Sequence, residues 1–263
     1  MFKASANLNL MIIAARHAAK GLLRDFGEVE NLQVTSKSLG DFVTKADLRA
    51  EEIIYSELME TRPHYGWLGE ESKSKTGKDP TRRWIVDPLD GTTNYIHGIP
   101  HWCISIALEF KKEIVSSVIY DPIKDELFVS EKGVGAWLNN RRLRVSNRKL
   151  LSEMLFATGV PFATKPNLLT TLKEIEKLMP LCSGIRRAGS AALDLAYVAA
   201  GRFDGYWERN LNSWDIAAGI LLVREAGGFV SSINESESPL VTGNIIAANT
   251  QIYEKFTSLL SNN

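Results

Sequence analysis

The segment Trp84-Ile85-Val86-Asp87-Pro88-Leu89-Asp90-Gly91-Thr92-Thr93-Asn94 concentrates the residues best suited to do chemistry. An apolar run ends directly at Asp87. Pro88 holds φ at about −65° and favours a turn. Asp87 and Asp90, three residues apart, can therefore converge at a strand end, and the turn can leave the Leu89 carbonyl facing the same point. Gly91 permits close backbone approach, and the amides of Gly91, Thr92 and Thr93 at a helix start make an anion site. Two carboxylates about 4 Å apart repel by roughly 4 kcal/mol at an effective dielectric near 20. A proton or a cation must relieve that repulsion. Ligands that are all oxygen select a hard cation, and Mg²⁺ is expected where a phosphate shares the site. For one Asp the alternative is a plain turn, with Asp90 capping a helix. An EF-hand is excluded, because position 12 counted from Asp87 is Gly98, where Glu is needed.

Two further acidic spots fit the same chemistry. Leu68-Gly69-Glu70-Glu71-Ser72 places adjacent carboxylates at the end of a short strand. Trp214-Asp215-Ile216-Ala217-Ala218-Gly219 places an Asp at a helix start. Alone, each also reads as a cap or turn feature. Other signals carry no chemistry. His97 and His101 are separated by Gly98 and Pro100, which break the helix a zinc pair at that spacing needs, so both read as packing residues. Gly133-Val134-Gly135 lacks the third glycine of a dinucleotide loop, and Gly77-Lys78 is followed by Asp79, so neither is a nucleotide motif. Arg141, Arg142 and Arg144 read as a solvated strand edge.

The elements that must position these groups follow from composition and periodicity. The chain has 263 residues, 44% hydrophobic and 24% charged, which is enough for a full core and excludes disorder as the main state. Thirty-one basic residues balance 31 acidic ones, which disfavours a strongly basic nucleic-acid binder or a membrane-surface protein. Cys103 and Cys182 form no CxxC pattern and are expected reduced and buried in a cytoplasmic protein. The N-terminal apolar stretch reads as an amphipathic helix ending near Gly27 rather than a signal peptide or a membrane span. A second helix is expected after Asp47 as its N-cap, strands over 66–69 and 84–86, and a polar loop over 72–83. Three segments within 103–130, split by short polar turns, predict an antiparallel meander. Helices are expected over 168–179, 191–200, 215–226 (with Gly227-Gly228 closing it) and 253–260, with a strand over 245–248. The reading is layered α+β.

Together these segments resemble the inositol monophosphatase family of Mg²⁺-dependent, lithium-sensitive phosphatases. The matching pieces are Asp41-Phe42-Val43-Thr44-Lys45-Ala46-Asp47, the Glu70-Glu71 motif, the long Asp87–Asn94 motif, Gly184-Ile185-Arg186-Arg187-Ala188-Gly189-Ser190-Ala191-Ala192 and the Trp214-Asp215 motif, in this order over nearly the whole chain. The resemblance implies an αβαβα sandwich of the inositol monophosphatase and fructose-1,6-bisphosphatase type. It implies one phosphatase domain over 1–263, its halves about 1–146 and 147–263, and a homodimer. It also implies two or three Mg²⁺ per site: one held by Glu70, Asp87 and the Leu89 carbonyl, one by Asp87, Asp90 and Asp215, and a weaker one near Glu70. A metal-activated water would attack phosphorus in line, oriented and deprotonated by Glu70 and by Thr92 hydrogen-bonded to Asp47. Gly91, Thr92 and Thr93 would hold the phosphate, while Asp90, the Ala191 amide and Glu208 would grip the hydroxyls of inositol.

Glu208 reads equally as an exposed carboxylate at a strand end. The function expected is hydrolysis of inositol monophosphate or a similar polyol phosphate. The alternatives are fructose 1,6-bisphosphate, a nucleotide 3′-phosphate, or a non-catalytic binding protein on the same scaffold. No nucleic-acid or membrane partner is expected.

Overall fold

The computed structural model describes residues 4–27, 34–38, 41–161, 166–233 and 237–261. In chain order its elements are α1 (Ala6–Phe26), β1 (Val34–Ser38), β2 (Asp41–Thr44), α2 (Lys45–Thr61), β3 (Gly66–Gly69), β4 (Arg82–Asp90), α3 (Thr92–Ile96), β5 (Cys103–Phe110), β6 (Glu113–Asp121), β7 (Glu126–Glu131), β8 (Gly135–Leu138) and β9 (Arg141–Arg142). The second half adds β10 (Leu155–Thr158), α4 (Leu168–Leu178), β11 (Gly184–Arg186), α5 (Ala191–Ala199), β12 (Gly205–Glu208), α6 (Ser213–Glu225), β13 (Phe229–Ser231), α7 (Pro239–Thr242), β14 (Ile245–Ala248) and α8 (Tyr253–Ser261).

A seven-stranded sheet runs in the order β3-β4-β5-β6-β7-β8-β9, and a five-stranded sheet in the order β11-β10-β12-β14-β13; β1 and β2 pair by themselves. In the larger sheet only β3 and β4 are parallel; the rest is the antiparallel meander that the sequence predicts. In the smaller sheet β10 is parallel to β11 and β12, and β14 is antiparallel to β12 and β13.

The layers follow from strands that are apolar on both faces. Along β4, Trp84 and Val86 join a core with α1 and α2, and Ile85 joins the core of α5 and α6. Along β14, Ile245 and Ala247 face α5 and α6, while Ile246 and Ala248 pack with Leu178 of α4 and Phe256 of α8. The result is the expected αβαβα stack: α1/α2, large sheet, α5/α6, small sheet, α4/α8. Ser5 caps α1, its hydroxyl accepting from the Leu8 amide at 3.2 Å, and the helix buries one stripe through Leu8, Met11, Ala15 and Leu22. Among the described residues no helix is long and apolar enough to cross a membrane.

Several boundaries differ from expectation. Helix α2 starts at Lys45, directly after β2, so Asp47 lies in its first turn and is not its N-cap. Pairing with β5 extends β4 to Arg82 and Asp90, well beyond its three apolar residues. Cys103 is buried as expected, but Cys182 is partly exposed; both are free. His97 is exposed at the end of α3 rather than packed, and His101 sets its ring edge against Tyr197. Arg141 and Arg142 form the exposed edge strand β9, as read.

The chain between the sheets is tied down. Arg148 pairs with the fully buried Asp204 at 3.1 Å, the Ser146 hydroxyl donates to the same carboxylate, and Asn249 Nδ2 donates to Ser146 Oγ at 2.8 Å. Helices α5 and α6 approach closely at Gly219, where an added Cβ would lie 2.4 Å from Leu195 Cδ1. That approach sets α6, with Asp215, beside the start of α5. Gly219→Val is expected to lose about 1–3 kcal/mol by overpacking, measured by urea denaturation.

Candidate active site

The central feature is a β-bulge. Asp87 pairs with Ser105 and Asp90 with Cys103, so Pro88 and Leu89 together face Ile104 alone. The strand therefore continues past Pro88 instead of ending in a turn, since Pro there gives up only a ladder donor. The extra residue turns both carboxylates toward one point. Asp87 is 1% exposed, and its Oδ1 accepts from the Leu89 amide at 3.0 Å.

The bulge deprives the Leu89 carbonyl of a ladder partner, and the Thr92 hydroxyl donates to it at 3.0 Å. A hydroxyl has one proton, so Thr92 does not donate to Asp47 here, as the resemblance implies, and the carbonyl is not left open. Its second lone pair still allows it to serve as a ligand. Gly91 then caps α3 at φ +100°, and an added Cβ would lie 3.0 Å from the His101 carbonyl oxygen. Only glycine takes that conformation and that contact without strain.

Neighbouring elements bring more acid. Asp47, 1% exposed in the first turn of α2, meets Glu70 and Glu71 just beyond β3; carboxylate oxygens of all three lie within 4.8 Å of one another. The Glu70 amide donates to the Val86 carbonyl at 3.1 Å and the Glu71 amide to Glu51 Oε2 at 2.8 Å, which fixes this corner to β4 and α2.

The second half closes the site. Asp90 Oδ2 accepts from Ser190 Oγ at 2.6 Å and from the Ala192 amide at 2.7 Å, so the start of α5 binds a carboxylate of the first half. Asn94 Nδ2 reaches across the same seam to the Ala188 carbonyl at 2.9 Å. Asp215 closes a capping box at the start of α6, accepting from the Asn212 amide at 2.7 Å. Beside these groups lies a cavity of about 150 Å³ walled by Asp90, Ala191, Asp194, Glu208 and Asp215. Glu208 at the end of β12 is held by the Tyr206 hydroxyl at 2.6 Å. It is partly buried in the cavity wall and is not a free strand-end group. Thr93 is exposed at the mouth of α3.

The electrostatics are one-sided. Burial pushes the Asp87 carboxyl well above the usual range, and Glu70, Asp90, Asp215 and Asp47 push it further. Asp215 is raised by burial and by Asp90, Glu70 and Glu208, against its Asn212 hydrogen bond. Burial raises Asp90 to about 6, although the bonds from Ser190 and from the Ala192 and Ala191 amides favour its charge. Asp194 is also raised, by burial, then by Glu208 and Asp90, with Arg187 opposing. The neighbouring charges that act most strongly on Asp87 and Asp215 among the described residues are acidic. Hard oxygen donors converging in this way suit Mg²⁺. Cys103 Sγ, 4.0 Å from Asp90, is held as a thiol by burial and by Asp90.

Asp47, Glu70, Asp87, Leu89, Asp90 and Asp215 thus gather on one side, with Gly91, Thr92 and Thr93 at the start of α3 and Ala191 and Glu208 along the cavity. Sequence reasoning marked Glu71 beside Glu70 without giving it a role, and missed Ser190 and Asp194 as members. Adjacency to Glu70 was the signal for Glu71. For the other two it was a helix start, Ser190, followed one turn later by an acid, Asp194.

The profile of the inositol monophosphatase family matches residues 7–263. An inositol-1-monophosphatase of Rhizobium meliloti is 54% identical over 248 residues, covering 94% of this chain and 93% of the relative. The Nus factor SuhB of Pseudomonas aeruginosa is 44% identical over 251 residues, covering 94% and 93%. The crystal structure of the extragenic suppressor protein SuhB from Bartonella henselae superposes with a TM-score of 0.95 at 52% identity, covering 98% of this chain and 100% of that one.

The raised carboxyls set a pH dependence. Folded Asp87, Asp90 and Asp215 keep protons that the unfolded chain gives up near the usual value of 3.8. Stability from these groups is therefore full at low pH and lost as pH rises through the folded values, about 6 for Asp90. In EDTA the melting temperature is expected to fall as pH rises from about 4 through about 6, and saturating Mg²⁺ is expected to flatten that fall. Scanning calorimetry with and without Mg²⁺ checks this.

Proposed function

The chain belongs to the inositol monophosphatase family, and from that premise we propose that it is a Mg²⁺-dependent phosphomonoesterase that hydrolyses inositol monophosphate, or a similar polyol phosphate, to the polyol and phosphate. One observation carries the reading: Asp47, Glu70, Asp87, Asp90 and Asp215 converge beside a small cavity whose wall includes Glu208.

When bound, Mg²⁺ supplies Lewis-acid polarisation of the phosphate and acidifies a water molecule. Asp87, which Glu70, Asp90, Asp215 and Asp47 all raise, would be the shared ligand for such ions, with Glu70, the Leu89 carbonyl, Asp90 and Asp215 as the other residues that would hold them. The amides at Gly91, Thr92 and Thr93 hold phosphate oxygens at the start of α3. The Thr92 oxygen, its proton committed to Leu89, receives a hydrogen bond from the attacking water, and Glu70 takes that water's proton. The water oxygen bonds phosphorus, the ester P–O bond breaks, and the leaving alkoxide takes a proton from solvent. Asp90, the Ala191 amide and Glu208 orient the polyol. The whole of 1–263 acts as one unit, because the first half supplies Asp47, Glu70, Asp87 and Asp90 and the second supplies Ser190, Glu208 and Asp215.

A homodimer fits the exposed Leu168, Leu169, Leu172, Met179 and Leu181 on α4 and the turn after it. The two free cysteines support a cytoplasmic location, and inhibition by lithium is expected on the same reading. The rival, a binding protein on this scaffold, draws on the Nus factor name of one relative. The retained acidic set opposes it, because such a cluster destabilises the fold unless a cation uses it.

Phosphate release from inositol 1-phosphate is expected to require Mg²⁺, to stop in EDTA, and to fall at least ~10²-fold in Asp87→Asn and in Thr92→Ala. Fructose 1,6-bisphosphate and 3′-phosphoadenosine 5′-phosphate, assayed in parallel, are expected to be poorer substrates. Release that survives EDTA and Asp87→Asn overturns the reading.

A further inference from the structure

We propose that Asp194 determines specificity: together with Glu208 it receives a ring hydroxyl of the polyol half of the substrate. The proposal rests on the function given above and adds a residue that the motifs do not mark.

Three observations carry it. Asp194 is 2% exposed, and its Oδ1 has no hydrogen-bond partner among the described residues. A buried polar atom left in that state costs free energy unless a ligand supplies the missing bond. Asp194 also walls the small cavity, with Glu208 and Asp90 as the acidic groups that act on it most strongly. Lastly, it stands one turn along α5 from Ser190, whose hydroxyl holds Asp90 at 2.6 Å, so one helix face carries the seam contact and the unpaired acid together.

A role confined to the fold does not explain the residue. The helix start is already capped, because Ser190 Oγ accepts from the Leu193 amide at 3.3 Å. A carboxylate that only complements the helix dipole gains nothing from burial. No basic side chain neutralises it by contact; Arg187, the one cation on the cavity wall, is exposed and makes no ion pair among the described residues.

The chemistry of the cavity selects the ligand. Carboxylates accept hydrogen bonds and hydroxyls donate them. Asp90, Asp194, Glu208 and Asp215 set oxygens around the cavity, so a group rich in hydroxyls finds partners there. At about 150 Å³ the space lies below the roughly 300–1,000 Å³ of pockets for drug-sized ligands. It suits a single small ring better than a nucleoside.

The test compares two substrates in the Mg²⁺-loaded enzyme: inositol 1-phosphate, and p-nitrophenyl phosphate, which has no ring hydroxyls. Asp194→Ala is expected to lower the ratio of their kcat/KM values, inositol ester over nitrophenyl ester, by about tenfold or more. Asp194→Asn, which keeps one acceptor oxygen, is expected to recover part of that ratio. An equal loss on both substrates, or no loss on either, overturns the assignment. Should the alanine variant fail to give a cooperative melt, the near-isosteric Asn variant decides, and an unchanged ratio in it overturns the assignment. Wild-type enzyme provides the separation from the reading above: no release from inositol 1-phosphate overturns that function and this role with it, whereas full release with an unchanged variant ratio overturns Asp194 alone.

Discussion

Carboxylates held together away from water raise one another's energy, and the rest of this structure is arranged around that repulsion. Asp87 is the focus. It is buried at a β-bulge, and Glu70, Asp90, Asp215 and Asp47 all act on it. Each pair left charged and unscreened opposes folding by roughly the few kcal/mol that Coulomb's law assigns at contact distances. The chain relieves the repulsion by keeping protons when no cation is present, which is why these carboxyls sit above their usual range. A divalent cation bound there would replace those protons with its own charge, so the same repulsion would favour metal binding.

The architecture makes the convergence rigid. The large sheet supplies the bulge, and α2 and the end of β3 bring Asp47, Glu70 and Glu71 from one side. The α5/α6 layer brings Ser190 and Asp215 from the other, and its close packing at Gly219 fixes their spacing. Asp90 belongs to both halves: β4 carries it and the start of α5 binds it. Misplacement by about an ångström at such a site costs orders of magnitude in rate. That demand explains why a short bulge and two helix starts, rather than mobile loops, hold the groups.

The same features show what was legible in the sequence. The five layers were readable, because strands such as β14 are apolar on both faces and the helices carry one apolar stripe. The acidic residues that the structure gathers, Glu70, Asp87, Asp90 and Asp215, were readable as motifs in a fixed order. The bulge was not: Pro88 reads as a turn, and only pairing with β5 shows that the strand continues beyond it. The Thr92 contact was hidden for the same reason, since the carbonyl it serves is freed by the bulge. Asp47 looked like a cap, and β2 running straight into α2 moved it into the first turn, where it is buried against Glu70 and Glu71. Asp194 escaped notice because an acid near a helix start is ordinary by sequence. Its burial and unpaired oxygen, which only packing reveals, set it apart.

The central claim is that the fold stores protons on a carboxylate cluster built for a cation. Isothermal titration of the metal-free chain with Mg²⁺ near neutral pH, repeated in buffers of different ionisation enthalpy, tests it most directly. The account predicts saturable binding of at least two ions per chain, with a heat that changes with the buffer because protons leave as Mg²⁺ enters. Absence of saturable binding, or binding whose heat is the same in every buffer, would contradict it.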